Sequence, residues 1–133
     1  MVSVFGLKLT PLRILIVDDS TIFRRSLRRM LESHAGWEIC GEAVDGAEGV
    51  MKNRLLSPQL ILMDFSMPLM NGLESSAAIL KEFPKALIVL LTLHTSAQLA
   101  AAARKLGIRA TIGKADVRDL ASNIGGVLDG SRA

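Results

Sequence analysis

Short apolar runs alternate with longer amphipathic ones through nearly all 133 residues, and that rhythm limits the folds open to the chain. The runs at 13–17, 38–42, 59–63, 86–91 and 109–112 predict strands. Three of them are almost unbroken Ile, Leu and Val, as expected where both faces of a sheet are buried. Between and after them, 20–34, 46–57, 72–83, 95–106 and 116–128 predict helices. Five β-α units in series imply an α/β fold, a doubly wound parallel sheet with right-handed crossovers and helices on both faces. The expected domain is 12–128, with 1–11 and 129–133 as loose flanking ends.

Local signals support the same division. In the first helix Ile22, Phe23, Ser26, Leu27, Met30 and Leu31 share a face, with Arg24, Arg25, Arg28 and Arg29 between them. Leu99, Ala102, Ala103 and Leu106 repeat the pattern in the fourth. Pro11 and Pro58 precede strands, Pro68 lies in a loop and Pro84 ends a helix, while Gly125 and Gly126 weaken the last helix. Neither an internal repeat nor a low-complexity segment is present.

Composition excludes several functions. A formal charge of +3 is too small to argue for nucleic acid on its own. One cysteine, Cys40, cannot form an internal disulfide, and with only His34 and His94 beside it no zinc site of standard spacing can be written. Apolar runs such as 86–91 are far too short to span a membrane, and the first residues lack the pattern of a secretory signal. A cytoplasmic location is expected.

In doubly wound sheets ligands bind beyond the carboxyl ends of the strands. There the first strand runs into Asp18-Asp19, the third into Asp64, the fourth into Thr92 and the fifth into Lys114. The first, third and fourth strands lie together in either common strand order, so these groups can converge. Converging carboxylates raise one another's pKa unless a cation neutralises them, and an all-oxygen site suits Mg²⁺. Such an ion shields an incoming phosphoryl group, letting an anionic carboxylate attack it. Singly each residue has a plainer reading: Asp-Asp-Ser before a helix is a capping sequence with Ser20 as cap, and a lone Thr or Lys is unremarkable. Their conjunction at one sheet edge favours the chemistry.

Four blocks carry a family resemblance: Ile-Leu-Ile-Val-Asp18-Asp19-Ser, Gly41-Glu42-Ala43-Val44-Asp45-Gly46, Asp64-Phe-Ser-Met67-Pro68-Leu-Met70-Asn-Gly72, and Leu91-Thr92 with Lys114 at the next strand end. Over about 12–128 the chain resembles the CheY-like receiver domains of two-component response regulators. The resemblance implies a flavodoxin-like sheet of order 2-1-3-4-5. It implies Asp64 as phosphoacceptor, and Mg²⁺ held directly by Asp19 and Asp64, through water by Asp18, and by the backbone carbonyl of Ser66. Thr92 and Lys114 would hold the phosphoryl oxygens. The donor would be a phosphohistidine on a histidine kinase, with a homodimer possible on phosphorylation; the domain would catalyse only its own phosphorylation and dephosphorylation.

Leu91-Thr92-Leu93-His94 and Ala115-Asp116 after Lys114 resemble the NarL/LuxR-type subgroup, whose members usually carry a DNA-binding helix-turn-helix. The chain ends at Ala133 with no room for one. It is expected to be a stand-alone receiver or, as the subgroup features favour, the regulatory half of a transcription factor; this domain itself would contact neither nucleic acid nor membrane. Two positions depart from the family. Thr111 stands where an aromatic ring usually couples phosphorylation to the output face, and Leu93 replaces a small residue, which is expected to narrow access to Asp64. The arginines of the first helix are either its solvated face or a kinase-docking surface.

Other readings are poorer. An aspartyl phosphatase of the haloacid-dehalogenase type needs a second Asp where Ser66 stands. The Gly107 to Lys114 segment has the wrong spacing for a P-loop. The alternative that survives is a pseudo-receiver, the same fold binding or dimerising without phosphorylation, and its support is Thr111.

Overall fold

The computed structural model describes residues 2–4 and 7–129; positions 1, 5–6 and 130–133 lie outside the described residues. Five strands, β3 (Leu12–Val17), β4 (Trp37–Ala43), β5 (Leu60–Asp64), β6 (Ile88–Thr92) and β7 (Ala110–Gly113), form a parallel sheet of order β4-β3-β5-β6-β7. This is the expected 2-1-3-4-5 arrangement. The order reverses at β3, which pairs with β4 on one side and β5 on the other. All five residues of β5 and of β6 are buried, which is why the first four of each are apolar.

The period-two alternation of each strand divides the core between two layers. Ile14, Ile16, Leu60, Leu62, Val89 and Leu91 face Leu27 and Leu31 of α1 (Thr21–Glu32) and Leu120, Ile124 and Val127 of α5 (Leu120–Asp129). Leu15, Val17, Ile61, Met63, Ile88 and Leu90 face the other way, toward α2 (Gly46–Leu56), α3 (Gly72–Glu82) and α4 (Ala97–Leu106). Ser20, Asp45, Asn71 and Ser96 cap the first four helices, each accepting a backbone N–H of the first turn, and Asn71 and Glu74 form a reciprocal capping box.

Four features differ from the sequence expectation. The flanking segment 1–11 contains an antiparallel pair, β1 (Val2–Val4) and β2 (Leu7–Leu9), in the register Val2↔Leu9 and Val4↔Leu7. Three-residue runs are too short to stand out as a periodic signal. The buried stripe of α1 is narrower than expected: Phe23, Leu27, Met30 and Leu31 pack, but Ile22 is 81% exposed and Ser26 is open. In α4 only Ala103 is buried, and Ala102 and Leu106 are exposed, because this helix lies over the sheet edge against α3 and β7. The expected last helix begins as a 3-10 turn at Lys114–Asp119 and becomes α-helical only at Leu120. Gly113 offers no side chain to cap that start, and the tighter turn supplies bonds in its place.

Gly72 holds the loop after β5 against its strand. Its N–H donates to the Phe65 carbonyl at 2.7 Å, and an added Cβ would be driven into the Asp64 carbonyl and lie 2.8 Å from Phe65 Cα. The obstruction is backbone, so it cannot rotate away. Gly72→Ala is therefore expected to destabilise the domain by about 2 kcal/mol or more, measured as a lower urea midpoint at unchanged slope.

Candidate functional site

Three loops at the carboxyl ends of β3, β5 and β7 meet beside the point where the strand order reverses. Asp18 follows β3 directly and is 1% exposed; Asp64 is the last residue of β5 and 2% exposed. Asp19 is exposed at the mouth, and carboxylate oxygens of Asp18, Asp19 and Asp64 all lie within 4.8 Å of one another. Lys114, directly after β7, reaches across, its Nζ 2.8 Å from Asp18 Oδ2 and 3.2 Å from Asp64 Oδ1. One ammonium against three carboxylates leaves an excess of negative charge, and the donors are all oxygen. The residues therefore fit a hard divalent cation such as Mg²⁺.

The ionisation of the pocket follows from this crowding. Burial, and then the Asp18 charge, push the Asp64 carboxyl up to about 6, against the opposing pull of Lys114 and of the Ser66 backbone N–H. Burial also works against the Lys114 ammonium, but its hydrogen bonds and charge contacts with Asp18 and Asp64 outweigh it and hold the pKa above the ordinary lysine value.

Ser66, Thr92 and Leu93 lie at this end of the sheet too. Ser66 is exposed two positions after Asp64. Thr92, the last residue of β6, is 4% exposed, and its Oγ1 donates to the His94 carbonyl at 3.2 Å and accepts the His94 N–H at 3.3 Å. The hydroxyl is thus engaged within its own loop. Leu93, directly after Thr92, is 71% exposed. Thr111 lies half-buried in the edge strand β7.

Four contacts were not visible in the sequence. The Phe23 ring lies under Lys114, with Nζ 4.2 Å from its centroid, a cation–π contact that adds to the hold on the ammonium. Arg24 donates Nη1 to the Asp18 carbonyl at 2.7 Å and Nε to Glu42 at 2.8 Å, and Arg28 donates to the other oxygen of Glu42 at 2.6 Å. Arg24 and Arg28 are therefore tied to β4, and of the four arginines of α1 only Arg25 and Arg29 lie open on its surface.

Residues 14–124 match the family described as response regulator receiver domain. The chain belongs to that family. It is 42% identical over 77 residues to the chemotaxis protein CheY of Thermotoga maritima, covering 58% of this chain and 63% of that protein. It is 38% identical over 109 residues to a protein-glutamate methylesterase/protein-glutamine glutaminase of Myxococcus xanthus, covering 81% of this chain but 31% of that enzyme. The chain thus spans roughly a third or less of the curated methylesterases it matches. A two-component response regulator of the LuxR family from Aurantimonas superposes with a TM-score of 0.88 at 30% identity, over 93% of this chain and 89% of that one. The receiver fold and the likeness to both CheY-like and LuxR-type regulators agree with the sequence reading. Among the described residues no helix is long and apolar enough to cross a membrane.

The raised Asp64 pKa has a consequence for stability. A carboxyl that holds its proton more tightly folded than unfolded loses stability as pH rises from its ordinary 3.8 through about 6. Asp64→Asn removes that loss, so in chelator at neutral pH the variant should unfold about 1–2 kcal/mol harder than wild type. The difference should shrink as pH falls below the ordinary carboxylate value. Urea melts of both proteins at the two pH values measure it.

Proposed function

We propose that this domain accepts a phosphoryl group on Asp64 from a histidine kinase in a Mg²⁺-dependent reaction, and relays that event as the regulatory part of a two-component system. The observation that carries the reading is the buried Asp64 at the end of β5, with Lys114 3.2 Å away and two further carboxylates within 4.8 Å. Asp19 and Asp64 would hold the cation directly, Asp18 through water, and the Ser66 backbone carbonyl would complete the protein ligands. Bound there, the cation would offset the carboxylate charge and the charge on the phosphoryl oxygens. An Asp64 oxygen attacks phosphorus as the bond to the donor histidine breaks, and it must be ionised to do so. Lys114 is already aimed at the reacting carboxylate and would neutralise a phosphoryl oxygen. Thr92 would serve a second one by releasing its bonds to His94.

The likeness to a LuxR-family regulator at 30% identity supports a place as the receiver of a transcription factor, with any DNA contact made by a separate helix-turn-helix. The same reading puts the protein in the cytoplasm and its dimerisation, if any, under phosphorylation. Thr111 favours one other reading, a pseudo-receiver used for binding alone, since a threonine buries far less ring-facing area than an aromatic residue.

Acetyl phosphate with Mg²⁺ should add one phosphoryl mass to the wild-type chain, and the adduct should be lost in Asp64→Asn and with chelator. An unlabelled wild type in intact-mass measurements would establish the pseudo-receiver instead. The exposed arginines supply a second test. Arg25→Glu with Arg29→Glu should slow transfer from the kinase about tenfold through lost electrostatic steering, while labelling by acetyl phosphate changes little. Equal slowing with both donors would remove these residues from the docking surface.

A further inference from the structure

Asp18 is held at every polar atom. Its N–H donates to Ala43 at 3.0 Å, Oδ1 accepts the Ser20 N–H at 2.8 Å, and Oδ2 takes Lys114 at 2.8 Å. Its backbone carbonyl accepts Arg24 Nη1 at 2.7 Å, from a side chain only 12% exposed. Arg24 lies in α1 and reaches back past the capping Ser20 to make that bond. A peptide unit is planar, so fixing the Asp18 carbonyl fixes the plane that leads to the Asp19 Cα. Asp19 is the exposed member of the acid cluster, with little packing of its own to hold it.

We propose that Arg24 is a positioning residue for the divalent-cation site, because its bond to the Asp18 carbonyl sets the peptide that carries Asp19 into the acid cluster. The inference rests on the Mg²⁺-dependent reading above. Glu42 is the other half of the clamp, taking Arg24 Nε at 2.8 Å and so fixing the guanidinium plane while Nη1 meets the carbonyl. A lysine in the same place keeps the charge but cannot present two N–H groups in that fixed fork. Charge and positioning are therefore separable in one substitution.

A purely structural role, pairing α1 with β4, is separable too. Arg28 meets the same Glu42 at 2.6 Å and also Glu32 at 2.8 Å, and makes no bond to Asp18. If the arginines only join helix to strand, Arg24→Lys and Arg28→Lys should behave alike.

Isothermal titration with Mg²⁺ alone, on the full chain, distinguishes the two, with thermal melts of each protein run beside it. Arg24→Lys should weaken Mg²⁺ binding about tenfold, the scale on which residues behind metal ligands act, and Arg28→Lys by less than twofold. Glu42→Gln should shift the affinity in the same direction as Arg24→Lys. If Arg24→Lys binds as wild type does, or Arg28→Lys weakens binding as much, the positioning role is overturned while the cation site stands. If the wild type takes up no Mg²⁺, the site itself and this role with it are overturned.

Discussion

The ammonium of Lys114 is shared between Asp18 at 2.8 Å and Asp64 at 3.2 Å, and most of what is distinctive at this end of the molecule depends on that sharing. Carboxylates gathered in one pocket repel one another, and the ammonium charge together with fixed backbone keeps them there. The pocket has that backbone. Asp64 ends a strand buried along its whole length, Asp18 is bonded at all its polar atoms, and Lys114 follows directly on the edge strand β7. The remaining imbalance is recorded in Asp64, whose carboxyl stays protonated further up the pH scale than an ordinary aspartate.

The support for this arrangement comes from both sides of the sheet. From α1, Phe23 places its ring against the Lys114 ammonium and Arg24 holds the Asp18 carbonyl. From the loop after β5, Gly72 packs so tightly on Asp64 and Phe65 that no side chain fits. The aromatic partner of the lysine thus sits on α1, while Thr111 of β7 presents no ring. By contrast α4 buries only Ala103.

Much of this was legible in the chain. Apolar runs announced β5 and β6, since a strand covered on both faces is apolar through most of its length, with Asp64 and Thr92 standing only at the final positions. The residues just after the strands were legible as a site because a parallel sheet gathers its carboxyl ends on one edge. Ser20 was expected as a helix cap, and the structure shows it accepting the Phe23 N–H. What was missed had weak local signals: the three-residue strands β1 and β2, the 3-10 start after Lys114, and the exposure of Ile22, which periodicity alone places on the apolar face.

Sequence by itself determined the elements, their alternation and which acidic, hydroxyl and basic residues could meet. These follow from period, capping and chain order, all of which are local. Only the tertiary structure decided how they meet. The contact of Lys114 with Asp18 spans 96 residues, and the division of the α1 arginines into two tied to Glu42 and two left open depends on where β4 lies. Such pairings depend on the distance between elements and the direction of side chains, and neither is encoded in the spacing of residues along one strand or helix. Asp64 could be named from its motif. The burial that raises its pKa could not, because burial is set by what the rest of the chain packs over it.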